Sequence, residues 1–225
     1  MRKTFYTEAA YALGIAILAL GTALMSIGEF GMSVAVAPAY VLYLKMSEIW
    51  PSFSFGMAEY LLQGVLLAAL SLALRKFRIK YLLSFGTALL YGVLLDGFVL
   101  MTGWIPADSF SVRLICYVAG ELACVAGIAL LIHTHYPPAV YELIIKELSA
   151  RYGWSIGRVK TVYDCASCLA AVSLSLAFFG TLQGVGVGTV VCALIDGWLI
   201  SRFSGFLDKR FRFADRFAIA ALKRS

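Results

Sequence analysis

The stretch Ala9-Ala10-Tyr11-Ala12-Leu13-Gly14-Ile15-Ala16-Ile17-Leu18-Ala19-Leu20-Gly21-Thr22-Ala23-Leu24-Met25-Ser26-Ile27 decides the fold class. It carries no charge and, as a helix, is about long enough for the roughly 30 Å hydrocarbon core of a bilayer. Arg2 and Lys3 precede it, and no small-x-small cleavage site with a polar continuation follows, so it reads as a retained first span. Five further segments have similar length and character: Gly56–Leu74, Tyr81–Met101, Leu114–Ile132, Thr161–Phe179 and Val185–Ser201. The whole chain agrees. Its 225 residues are 61% hydrophobic and 14% charged, with a mean hydropathy of +0.86. A soluble domain carries about a quarter charged residues, so the composition excludes a soluble globular protein, a disordered chain and a disulfide scaffold. It predicts an all-α, polytopic membrane helix bundle in contact with the lipid bilayer.

Two more segments are apolar but too short to span. They are Ser33–Met46, with Pro38, and Pro137–Leu148, which begins at Pro137-Pro138. Each is expected to be a re-entrant or an interfacial helix. The net charge of +6 comes from bases that lie between the apolar segments, which is a topology signal and not a nucleic-acid signal. With both chain ends on the cytoplasmic side, seventeen of the nineteen Lys and Arg fall inside, leaving only Lys45 and Arg113 outside. From Arg202 onward, Phe203, Leu207, Phe211, Ala214, Phe217 and Ala221 recur at helical spacing among basic residues. This predicts a cytoplasmic amphipathic helix over 202–225. The five cysteines lie in apolar runs and read as small buried hydrophobes.

The two halves repeat. Gly21-Thr22-Ala23-Leu24 matches Gly127-Ile128-Ala129-Leu130, and Pro38-Ala39 matches Pro138-Ala139. Ser54-Phe55-Gly56 matches Ser155-Ile156-Gly157, Phe85-Gly86-Thr87 matches Val187-Gly188-Thr189, and Asp96-Gly97 matches Asp196-Gly197. The order is conserved between the halves. Each half holds three spans, so the second copy must enter from the opposite side. The expectation is one membrane domain over 1–225, built as a 3+3 inverted repeat with halves at 9–101 and 112–201. Such repeats with broken helices are a common transporter design, with the site near the midplane.

The run Gly31-Met32-Ser33, Ala37-Pro38-Ala39-Tyr40 and Phe55-Gly56-Met57-Ala58-Glu59-Tyr60-Leu61-Leu62-Gln63, with Gly86 through Leu94-Leu95-Asp96, resembles the YczE/YitT-like family of small bacterial membrane proteins. That resemblance covers roughly residues 10–201. It implies an integral protein of the bacterial inner membrane, of largely unknown function, and suggests transport.

Ionisable residues within spans are the best functional leads, because burying a charge in hydrocarbon costs about 2.5–3.5 kcal/mol on insertion scales. Five acids qualify: Glu59, Asp96, Glu121, Asp164 and Asp196. No Lys or Arg sits deep in a span to pair with them. Glu121, mid-span, is the first candidate for solute or proton binding. Asp96 and Asp196 are repeat mates suited either to gating or to helix-end capping, and Glu59 and Gln63 share a helix face by i, i+4 spacing. Asp164 pairs with Lys160 by the same spacing. Pro38, Pro138 and Tyr136 are gate candidates at the short helices. His133 and His135 lack the spacing and partners of a metal site, so no metal or other cofactor is expected. The sequence contains no nucleophile elbow, zincin motif, P-loop or dinucleotide fingerprint, so enzymatic chemistry is not expected. The leading expectation is a secondary transporter for a small polar or cationic solute, with proton coupling and a plausible homodimer. The alternatives are a substrate-binding membrane subunit of an ATP-driven importer and a non-transporting accessory protein.

Overall fold

A computed structural model describes residues 3–215 except His135, Pro137 and Pro138. Among these residues the order is β1 (Lys3–Tyr6), α1 (Thr7–Gly28), α2 (Ala37–Ile49), α3 (Phe55–Leu74), α4 (Ile79–Thr102), α5 (Phe110–Ile132), α6 (Val140–Tyr152), α7 (Ile156–Phe179), α8 (Val187–Arg210) and β2 (Phe211–Ala214). Six helices, all but α2 and α6, are long and apolar enough to cross a membrane. Their outer faces leave large apolar side chains uncovered, such as Leu72 at 78% and Leu100 at 83% exposure. Lipid covers such faces without cost, whereas a water-soluble surface of this kind is not tolerated.

The centre of the bundle is the antiparallel pair α1–α5. Gly14 faces Gly127, Gly21 faces Gly120, and Gly28 faces Arg113 and Tyr117. A β-carbon on Gly21 would lie 2.6 Å from the Gly120 carbonyl oxygen, and one on Gly120 would lie 2.6 Å from that of Gly21. Each step of seven up α1 is therefore a step of seven down α5, and the backbones meet where side chains are missing.

This pair carries the repeat. The offset that aligns Gly21 with Gly127 also aligns Gly14 with Gly120, so the contact between Gly14 and Gly127 maps onto the contact between Gly120 and Gly21. Because the helices are antiparallel, the relating axis runs across them, in the plane of a membrane. Other packings follow the same rule: α1–α4 is matched by α5–α8, α2–α3 by α6–α7, and α2–α7 by α6–α3. Two pairings depart from it. Helix α4 packs along α3 and touches α6, whereas the mate pairs α7–α8 and α8–α2 are not closely packed.

Helices α2 and α6 are re-entrant by their contacts. The Val34 carbonyl, just before α2, accepts a hydrogen bond from Ser167 Oγ at 2.8 Å, and Ser167 is halfway along α7. The Val140 N–H, first in α6, donates to Gln63 Oε1 at 3.3 Å, and Gln63 is near the middle of α3. Both short helices thus begin at mid-depth. Residues Ala37–Val41 are buried while Glu48–Trp50 are exposed, and α6 grades the same way toward Tyr152. By the alternation of the spans, α2 runs back to the face where α3 starts, and α6 to the opposite face, where α7 starts. Pro38 lies in the first turn of α2, where its missing N–H leaves no helical bond unmade.

The chain after the last span differs from the expected amphipathic helix. Helix α8 continues unbroken to Arg210, and Phe211–Ala214 then pairs in parallel with Lys3–Tyr6. The reason is local: β1 offers an unpaired edge, and Phe5 packs on Phe211 and Phe213 at 5.5 and 5.8 Å between ring centroids. Residues 216–225 of the expected helix lie outside the described residues. The pairing puts β1 and β2 on the same face of the bundle, as six spans require.

Candidate functional site

The re-entrant helices bring the two halves to a common cavity of about 70 Å³. Ser33 and Val36 from the entry to α2, Tyr141 from α6, Gln63, Glu121 and Asp196 all line it. Helix N-termini carry partial positive charge. Here two of them approach a group of acids in a low-dielectric interior. An ionised carboxylate there needs such compensation, a proton or a cation.

On one side stands Glu59, fully buried. Its Oε2 accepts from Gln63 Nε2 at 2.9 Å and from the Tyr141 hydroxyl at 2.8 Å. Gln63 in turn receives the first N–H of α6, so the Glu59–Gln63 pair fixes that helix at mid-depth. The expected i, i+4 pair is therefore present, with its polar ends spent on α6. Glu59 Oε1 has no hydrogen-bond partner among the described residues.

Opposite stands Glu121, 6% exposed. Its Oε2 accepts from Cys192 Sγ at 3.1 Å, and Cys192 Sγ lies 2.9 Å from the Tyr117 hydroxyl. Glu121 Oε1 and Asp196 Oδ1 have no hydrogen-bond partner among the described residues. One ligand-type atom from each of Glu121, Cys192 and Asp196 lies within 4.8 Å of the others. Between the two acidic sides run the Tyr91 hydroxyl, donating to Thr22 Oγ1 at 2.9 Å, and Cys124.

The remaining candidates separate. Asp96 stays outside this cavity. It accepts from Ser54 Oγ at 2.6 Å and from Gly56 N at 2.7 Å, closing the start of α3 onto α4. Its mate Asp196 makes no such bond to Ser155 and is directed to Glu121 instead. Asp164 is ion-paired with Lys160 at 3.0 Å. Both line a second cavity of about 270 Å³, between α7, α8 and the entry to α2, which Cys192 and Asp196 also line. The Tyr136 ring packs against Tyr11, tilted, at 4.9 Å between centroids near the end of α5. Pro38 is buried at the α2 entry, and Pro138 lies outside the described residues. His133 pairs with Asp208 at 3.0 Å and stacks on Phe213, away from the acids of the cavity.

Sequence reading missed Cys192, Tyr117 and Tyr141. Cys192 sits one helical turn before Asp196, a spacing that could have linked them. Tyr117 and Tyr141 gave no signal, because only the packing of α5 on α8 and of α6 on α3 brings them in. Glu142, beside Tyr141, was also missed. It lines the cavity.

Six apolar spans with two half-helices that meet at an acidic cavity define a polytopic helical membrane protein. Residues 5–205 match the model of a family of unknown function, DUF6198, and the chain belongs to that family. No curated protein and no solved structure matches it.

Proposed function

We propose that this protein is a secondary transporter for a small cationic solute, coupled to protons, in the bacterial inner membrane. The observation that carries the reading is the cavity itself: half-helices entering from opposite faces converge on buried carboxylates with unpartnered oxygens. A cation or a proton satisfies such oxygens, and exchange of one for the other is a coupling mechanism. The positive-inside bias supports a cytoplasmic position for the face carrying β1 and β2.

The unequal halves support alternating access. Asp96 ties α3 to α4, while among the described residues Asp196 makes no equivalent bond to Ser155. An inverted repeat that exchanges these two arrangements opens its centre to each side in turn. The YczE/YitT-like residues of the first half fit the same reading. Proteoliposomes with an internal pH dye, challenged with amine and metal cations, test it. A cation gradient is expected to drive proton movement, and Glu121→Gln to abolish it. No solute-linked proton flux from folded, reconstituted protein across that screen would overturn the proposal.

A further inference from the structure

We infer that Glu121, Cys192 and Asp196 form a binding site for a divalent transition-metal ion. As a statement about cargo this rests on the transporter reading; as a statement about binding it stands on the geometry alone. Three observations carry it.

The first is the ligand set. Metal–ligand bonds of about 2.0–2.3 Å put the ligands of one ion about 3.3–3.8 Å apart. Cys192 Sγ and Glu121 Oε2 are already 3.1 Å apart, and all three ligand atoms fall within 4.8 Å. A thiolate with two carboxylates suits borderline ions such as Zn²⁺, Co²⁺ or Cd²⁺ and disfavours Mg²⁺ and Ca²⁺, which prefer all-oxygen sites.

The second is the unmet oxygen. Glu121 is 94% buried by its 6% exposure, it lines the central cavity, and its Oε1 has no hydrogen-bond partner among the described residues. A buried acceptor left without a donor costs free energy; a bound cation removes that cost, as does a proton shared with the adjacent Asp196 carboxyl, and the titration below separates the two. The second cavity is lined by Cys192 and Asp196 together with Lys160 and Asp164.

The third is the repeat, which serves as an internal control. The offset that pairs Gly21 with Gly127 pairs Glu121 with Ile15, and the one that pairs Asp96 with Asp196 pairs Cys192 with Gly92. The first half builds the same helices with an apolar residue and a glycine at these places. The fold therefore does not require a carboxylate and a thiol there. Their presence together in one half, around an aspartate that is not occupied in capping, points to a ligand.

The test is titration of purified, detergent-solubilised protein with Co²⁺ alone. Saturable binding of one ion per chain is expected, with a near-ultraviolet thiolate-to-cobalt band that Zn²⁺ and Cd²⁺ displace and Mg²⁺ does not. Cys192→Ser is expected to lose the band and Glu121→Gln to weaken binding about tenfold or more. The double variant Cys165→Ser, Cys168→Ser should keep both, which holds the test together if a core variant fails to fold. Wild-type protein without saturable binding, or a band that disappears in the Cys165/Cys168 variant, overturns the site. Zn²⁺ flux in proteoliposomes is a separate readout. Binding without flux leaves the site standing and sinks the ion as cargo, whereas flux of another solute without metal binding sinks the site and leaves the transporter reading standing.

Discussion

At the scale of single residues, the interior is governed by how each buried acid is satisfied. Glu59 is held by two donors, and removing one leaves the carboxylate short. Tyr141→Phe is therefore expected to destabilise the protein by about 1–3 kcal/mol, read as a lowered midpoint in denaturant unfolding. Sequence reading found Glu59, Glu121 and Asp196, because an acid in an apolar run is conspicuous. Its reading of the cysteines as small buried hydrophobes holds for Cys116, Cys124 and Cys192 but not for Cys165, which is exposed on the outer face of α7; that a carboxylate lies beside Cys192 is set by another helix.

At the scale of elements, the α1–α5 contact is the least tolerant of change. The β-carbon of any residue at Gly21 would meet the Gly120 carbonyl and Cys124 within 2.7 Å, so only separation of the helices relieves the clash. Gly21→Val is expected to abolish a monodisperse peak in size-exclusion chromatography. Gly97 has open space around its β position, and Gly97→Ala should be neutral or stabilising by up to about 1 kcal/mol through helix propensity. Both positions read alike in the sequence, as glycines inside apolar spans. The short helices were legible as elements from their length and prolines, but their depth was not. It is set by Ser167 holding the Val34 carbonyl and by Gln63 holding the Val140 N–H, partners more than seventy residues away.

At the scale of the whole molecule, the inequality of the halves is the main finding. The Asp96 lock on Ser54 and Gly56 has a sequence mate that is left unmade. If the halves exchange states, breaking the made lock favours the other arrangement. Asp96→Asn should lengthen the distance between spin labels at the outer ends of α3 and α4 in double electron–electron resonance; an unchanged distance distribution counts against exchange. Asp196 belongs both to the candidate metal site and to the unmade lock, so saturating Co²⁺ should hold the α7–α8 distance at its present value.

The sequence by itself determined the class of fold, the six spans and the inverted order of the halves. These follow from the lengths of apolar runs, the parity of three spans per half and matched residues along one chain, all of which are local or additive. The tertiary structure decided which acids share a cavity, that Asp96 caps a helix while Asp196 does not, and that Phe211–Ala214 joins a strand instead of prolonging a helix. Those outcomes depend on which groups from distant segments arrive within hydrogen-bonding reach, and no one-dimensional pattern contains that distance.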